Sequence, residues 1–311
     1  MSWTPARLPD LTGKTYVITG GNSGLGLETA KTLAAKGGRV VITARSEANA
    51  TTALAEVRAA APGANADFVL LDLADLDSVD RAAAELKAKC PRIDAIVNNA
   101  GVMQTPFLKT KQGFELQIGT NHFGHFRLNA ALFDRLEASA ARIVPVASIA
   151  HEFGKVDVSD LDFARRAYDP TQAYGQSKLA NLLYGFELHR RLVARGSRVV
   201  SIPAHPGYAA TNLQTAGVGM DGGSKLFRAL YRITNALLAR PASEGAYAQI
   251  LAAADPDATP GVYYGPTGIA RARGPVGPCW VAPQGKDEAT ARALWEATEA
   301  RVGAFFPAAT A

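Results

Sequence analysis

Cysteine is almost missing from this chain: Cys90 and Cys279 stand far apart in 311 residues, with no Cys-x-x-Cys pair. That excludes a disulfide framework and a cysteine-built structural zinc, and it points to a reducing, intracellular setting. No run approaches the ~20 uninterrupted apolar residues of a membrane-crossing helix. The opening MSWTPARLPDLTGK lacks the apolar core of a signal peptide. A soluble, cytoplasmic protein with no integral membrane segment is expected. Runs of five or more Lys/Arg are also lacking, so the formal charge of +5 and the pI near 9.2 are scattered, and nucleic-acid binding is not expected. Internal repeats, low-complexity tracts and Pro/Gly/Ser linkers are absent as well.

What is present suits a large core. Hydrophobic residues make up 48% and charged residues 20% of the chain, ordinary for a folded soluble protein. A single domain over 1–311 is expected. Apolar, β-branched runs at Tyr16–Ile18, Arg39–Thr43, Asp67–Leu71, Ile93–Val97, Arg142–Ala147 and Arg198–Ile202 read as buried strands. Helical patterns at Glu28–Lys36, Ser46–Ala61, Ser78–Lys89, Phe114–Ala138 and Ala173–Arg195 alternate with them. A helix at Ser243–Ala254, a strand at Gly261–Tyr264 and a terminal helix at Asp287–Val302 follow. Such alternation predicts an α/β fold, a Rossmann-type doubly wound parallel sheet with helices on both faces.

The stretch from Lys14 to Leu27, KTYVITGGNSGLGL, joins the first strand to the first helix through glycines. Gly20 can take backbone angles closed to other residues, Gly24 lets the chain approach a pyrophosphate, and Gly26 allows close packing of helix on strand. A phosphate would then sit at the helix N-terminus, among unpaired N–H groups. The spacing Thr-Gly-x-x-x-Gly-x-Gly is a moderate signal, since a tight strand-to-helix turn needs glycines too. Tyr174 and Lys178 are spaced to lie one turn apart on one helix face. A tyrosine hydroxyl ordinarily titrates near pH ~10, and a neighbouring ammonium favours its phenolate, so the pair could act as a general acid/base. Taken alone, the pattern is that of an ordinary solvated face.

Taken together, Thr19-Gly-x-x-x-Gly-x-Gly26, Asn98-Asn-Ala-Gly101, Asn121, Ser148, Tyr174-x-x-x-Lys178 and Pro206-Gly207-x-x-x-Thr211 make the chain resemble the short-chain dehydrogenase/reductase family. TNHFGHFRL, VASIAH, YGQSKLANLL, AHPGYAATNL and GVYYGP make it resemble the retinol dehydrogenase branch and its bacterial relatives. The resemblance implies hydride transfer with a nicotinamide nucleotide and catalysis by Asn121, Ser148, Tyr174 and Lys178. Tyr174 would donate a proton to a carbonyl oxygen or take one from an alcohol, and Ser148 would hydrogen-bond the same oxygen. Lys178 would lower the tyrosine pKa and hold the nicotinamide ribose, and Asn121 would hold a water relaying protons from the lysine. The cofactor would contact Gly20, Asn22, Ser23, Gly24, Leu25, Gly26, Arg45, Asp72, Leu73, Asn98, Ala100, Gly101, Tyr174, Lys178, Pro206, Gly207 and Thr211.

The second strand ends in Thr43-Ala44-Arg45-Ser46, with no acid to accept the ribose hydroxyls. Arg45, helped by Ser23 or Ser46, would pair with a 2′-phosphate, so NADP(H) is expected over NAD(H). No metal is expected, because His122 and His125 lack a nearby carboxylate or third ligand. His151 and His205 read as structural. The insertion at 151–172 carries Phe153, Val156, Val158, Leu161, Phe163 and Tyr168, and 208–240 carries Leu226, Leu230, Ile233 and Leu237 on one helical face. A substrate lid over an apolar pocket is expected at 208–240. Lys225, Arg228 and Arg232 leave docking on a membrane surface open, and core packing is the third reading.

The expected activity is therefore interconversion of a lipophilic carbonyl or alcohol by an NADP(H)-dependent oxidoreductase. Two alternatives stand beside it. One is a nucleotide-sensing or scaffold protein without turnover, although Tyr174 and Lys178 both persist. The other is reduction of a carbon–carbon double bond, as in protochlorophyllide reductases, against which the lack of cysteine between Cys90 and Cys279 counts. A homodimer through the helices at Phe114–Ala138 and Ala173–Arg195 is compatible with the resemblance.

Overall fold

The computed structural model describes residues 3–208 and 241–307. The 209–240 stretch, with Thr211 and the expected lid, lies outside the described residues. Six strands, β1 (Thr15–Ile18), β2 (Arg39–Ala44), β3 (Ala66–Leu70), β4 (Ala95–Asn98), β5 (Arg142–Pro145) and β6 (Val200–Ser201), pair in parallel in the order β3-β2-β1-β4-β5-β6. The order reverses between β1 and β4, and a doubly wound sheet offers its binding crevice there, beyond the carboxyl ends of the strands.

The strands are short, apolar runs because both faces are covered. On one face Val17, Val41, Ile96 and Ile143 meet the helix Leu76–Lys89 and residues of the long helix Pro170–Ala194. On the other, Ile18, Val40, Ile42 and Val97 meet the helices Gly24–Ala35, Glu47–Ala60 and Tyr247–Ala254. The N-terminal segment joins that second layer through buried Trp3, Leu8 and Leu11.

Four sequence expectations change in detail. The first helix begins at Gly24, four residues before the expected Glu28, which places its unpaired N–H groups at the turn. The long helix begins at Pro170, whose fixed φ suits a first helical position, and Asp169 caps it by accepting from Gln172 N. The helix expected over Phe114–Ala138 is interrupted. A short helix Leu116–Ile118 leads through a π-helical stretch, Gly119–Phe123, into Gly124–Ala131, and Phe133–Ser139 follows as a separate helix. The strand expected at Gly261–Tyr264 is Tyr264–Pro266, because Gly261 turns at φ 74° and His205 N donates to Tyr264 O at the sheet edge.

The insertion after β5 packs mostly inward. Leu161 and Phe163 are buried, Val156 and Val158 pack against the core, and of its six named residues only Phe153 is exposed. Tyr168 fixes the insertion through its hydroxyl, which donates to Thr105 O or Glu115 Oε1 and accepts from Gln117 Nε2. The terminal helix Glu288–Val302 lies on the long helix, where Trp295 stacks on Tyr184 and meets Phe126 and Phe305 edge-on or tilted.

Candidate functional site

A cleft of about 500 Å³ opens along the ends of β1, β2, β3 and β4. Gly20, Asn22, Ser23, Gly24, Leu25, Arg45, Asp72, Leu73, Ala100 and Gly101 line it. The turn is cut for close approach. Gly20 and Gly24 hold φ of 63° and 53°, and a Cβ on Gly26 would stand 2.4 Å from Gly20 O. The helix N-terminus, the space left by missing side chains and the single carboxylate among the described lining residues, Asp72, fit a dinucleotide phosphate.

Arg45 is exposed on this wall and makes no hydrogen bond or ion pair among the described residues. Ser46 caps the next helix, where its hydroxyl accepts from Asn49 N and keeps its proton free to donate. Ser23 and Asn49, both on the cleft wall, remain beside Arg45. Asn98 departs from expectation. As the last residue of β4 it is buried within the sheet, paired in register with Pro145, and does not line the cleft. Asn99 takes that place and ties the turn, its Nδ2 donating to Thr19 O at 2.9 Å.

Residues that sequence reasoning passed over complete this end. Thr43 Oγ1 accepts from Gly20 N at 3.3 Å, and Thr19 Oγ1 accepts from Ala100 N at 2.9 Å. Thr19 also meets His125 Nε2 at 2.8 Å, while His125 Nδ1 donates to Asn121 O at 2.9 Å. Gln249 reaches across from 224 residues away in sequence to Leu25 O and donates to Asn99 Oδ1. Thr19 stands inside the glycine motif, but nothing local marks Gln249.

The second end of the site is assembled from distant stretches. Ser148 ends the run from β5, Tyr174 and Lys178 project from the long helix, and Asn121 comes from the π-helical stretch. Lys178 Nζ would lie 3.7 Å from a Cβ on Gly101, so the lysine adjoins the cleft. It donates to Val146 O at 3.2 Å. Asn121 is a buried clamp. Its Oδ1 accepts from Val102 N, and its Nδ2 donates to Val102 O and Ser177 Oγ, all at 2.8–2.9 Å. Its amide is thus committed to protein partners, and its backbone carbonyl accepts from His125 Nδ1 with one lone pair to spare.

Burial pushes the Tyr174 hydroxyl up to about 12, with Ser148 pulling the other way. The Lys178 ammonium stands 5.8 Å from the centre of the ring and points to Val146 O. Burial also brings Lys178 down to about 8. Each group is pushed towards its neutral form, since low dielectric disfavours either charge. His122, His125 and His205 are likewise held neutral, lowered by burial to about 3, 4 and 3.

Pro206 and Gly207 sit over the segment after Tyr264–Pro266. A Cβ on Gly207, at φ 71°, would lie 2.5 Å from Ala272 O. His205 faces Cys279 at 3.2 Å, which has the look of a nucleophilic pair. It is not one, because Gly207 N donates to His205 Nδ1, so Nε2 carries the proton and cannot take the thiol's. No group of three or more His, Cys, Asp or Glu able to hold a metal occurs among the described residues, and no described helix is long and apolar enough to cross a membrane.

The reversed strand order, the glycine turn at a helix N-terminus and the cleft over it define a dinucleotide-binding α/β protein of the Rossmann type. Residues 14–218 match the sequence model of the short chain dehydrogenase family, and the chain belongs to that family of oxidoreductases. Human retinol dehydrogenase 13 is 37% identical over 293 residues, covering 94% of this chain and 85% of that protein. Mouse polyprenol dehydrogenase is 38% identical over 259 residues, covering 81% of this chain and 75% of that protein. A crystal structure of a putative uncharacterized protein from Mycobacterium paratuberculosis is 37% identical with a TM-score of 0.81, over 99% of this chain and all of the other.

Proposed function

We propose that this chain interconverts a carbonyl and an alcohol on a lipophilic substrate, using NADP(H), with Tyr174 exchanging the proton. The meeting of Ser148, from the end of the β5 run, with Tyr174 and Lys178 of the long helix, and with Lys178 against Gly101 at the cleft, carries this reading. Gly20 to Gly26 would hold the pyrophosphate, Asp72 and Leu73 the adenine, and Asn99 to Gly101 the inner ribose. Arg45, with Ser23 and Asn49, would hold a 2′-phosphate through charge-assisted bonds. The names of the retinol and polyprenol dehydrogenases among its relatives support a lipophilic substrate.

When bound, the nicotinamide supplies or accepts the hydride. The chain's own residues handle the oxygen and the proton. Tyr174, with its hydroxyl raised to about 12, keeps its proton at neutral pH and stands as the acid that protonates a developing alkoxide. Ser148, whose side chain acts on that hydroxyl's pKa, would donate to the same oxygen. Lys178, near 8, remains largely ammonium at pH 7 beside the ribose site. This protonation pattern favours reduction at neutral pH. Alcohol oxidation needs the phenolate and should speed up throughout the alkaline range.

The faces expected for a homodimer are occupied by the terminal helix and its aromatic residues, so we read the protein as a monomer of 32.7 kDa, to be checked by light scattering. The reading of function is tested by following NADPH or NADH consumption with long-chain aldehydes, retinaldehyde and short polar ketones. NADPH-dependent turnover of the long-chain compounds supports it. Equal affinity for NADH and NADPH would remove the nucleotide assignment, and turnover of the polar ketones alone would remove the substrate class.

A further inference from the structure

His151 contributes nothing to the cleft, yet it is buried at 1% exposure three residues after Ser148. Its Nδ1 lies 2.7 Å from Ser148 O, and its own backbone N–H donates to the same carbonyl at 3.1 Å. A carbonyl only accepts, so Nδ1 carries the proton and Nε2 is left as an acceptor. Ala282 N donates to that Nε2 at 3.4 Å. The imidazole therefore bridges the serine turn to a segment more than 130 residues later in the chain.

That segment holds the turn at further points. Gln284 Nε2 donates to the carbonyls of His151 and Glu152, at 3.1 and 2.6 Å. Arg271 pairs with both carboxylate oxygens of Glu152, at 2.7 and 2.6 Å. Tyr263 meets the imidazole edge-on, with ring centres 5.5 Å apart. Meanwhile Ser148 Oγ accepts from Ala150 N at 3.2 Å, which fixes one lone pair and leaves the hydroxyl proton free to point at Tyr174 or a substrate oxygen. All these anchors, Tyr263 through Gln284, lie beyond the residues 14–218 that match the family model.

We propose that His151 is a positioning residue: its Nδ1–H bond to Ser148 O, braced by the 282–284 segment, sets the direction of the Ser148 hydroxyl. The inference rests on Ser148 and Tyr174 forming the catalytic pair. A misplacement of about 1 Å at such a group costs about a hundredfold in rate, so a single buried bond of this kind is enough to matter.

Three substitutions separate the bond from the packing. H151F keeps a ring against Tyr263 but has no donor, H151N places an amide N–H near the Nδ1 position, and H151Q places its amide near Nε2. The expected result is a kcat about ten- to a hundredfold lower in H151F and H151Q, with Kd for NADPH unchanged, and recovery of most of that loss in H151N. An undiminished kcat in H151F, or a loss in a folded H151N as large as in H151F, overturns the proposal. If H151F fails to fold, the comparison of H151N with H151Q decides. A separate readout needs no turnover: nitrogen-resolved NMR of the histidines should assign the neutral Nδ1–H tautomer to the signal lost in H151N. An Nε2–H tautomer there overturns the proposal. Absence of turnover in the wild type with that Nδ1–H signal intact would sink the proposed function while leaving the His151 contact standing.

Discussion

The two ends of the site are built by different means. The glycine turn of the cleft is contiguous: Thr19 to Gly26 take their shape from glycine backbones, and Thr43 and Asn99 brace it. The end proposed for proton transfer is assembled from side chains of the β5 end, the π-helical stretch and the long helix, braced by a segment beyond residue 260. A backbone site tolerates no added atoms, whereas a side-chain site depends on remote bonds that hold its members in place. The first should therefore fail by steric exclusion, and the second by loss of rate with binding intact.

The comparison can be broken most severely at the turn. Gly26→Val puts carbon atoms where Gly20 O stands 2.4 Å from an ideal Cβ, and NADPH binding should be abolished, as measured by fluorescence titration of a variant shown to be folded by circular dichroism. Arg45→Ala should weaken NADPH by about ten- to a hundredfold through loss of charge-assisted bonds, leaving NADH nearly unchanged. A matched loss for both nucleotides would show that Arg45 does not read the 2′-phosphate.

Smaller effects test the packing that supports the second end. Trp295→Ala removes a fully buried ring from the aromatic cover of the long helix, at a cost of about 3–5 kcal/mol in unfolding free energy, read from denaturant melts. The buried histidines set the acid limit. Their folded values of about 3 to 4 lie below the ordinary 6.5, so the unfolded chain binds more protons. Stability is fully present above pH 6.5 and declines as pH falls towards 4, by up to ~1.4 kcal/mol per pH unit for each histidine. Thermal melts at pH 7.5 and pH 5 should show the lower Tm at pH 5. Equal values would mean that these rings are protonated in the folded protein.

The same contrast explains what could be seen in the sequence. Strands such as Tyr16–Ile18 and Arg39–Thr43 were legible because burial on both faces demands continuous apolar runs, and the glycine turn because its spacing is local. Asn98 was misplaced by one residue, since spacing alone does not say where β4 ends and the cleft begins. The π-helical stretch was hidden, because its apolar pattern is that of an ordinary helix. So were Gln249 and Ala282, whose roles depend on chain folding back over 150 and 131 residues. That the insertion's Leu161 and Phe163 are buried was not legible either, because apolar residues close a core as readily as they line a cleft. Lys178 could be placed one turn from Tyr174, but its direction towards Val146 O, and the burial that raises the tyrosine's pKa, lie outside what spacing encodes.

Tyr174→Phe tests the central claim most directly, since it keeps the buried ring and removes only the hydroxyl. With NADPH and a long-chain aldehyde that the wild type reduces, turnover should fall by a thousandfold or more, about the upper part of what a positioned acid contributes. The affinity for NADPH should stay unchanged. Turnover preserved in the variant would contradict the account, because the proton would then reach the substrate without Tyr174.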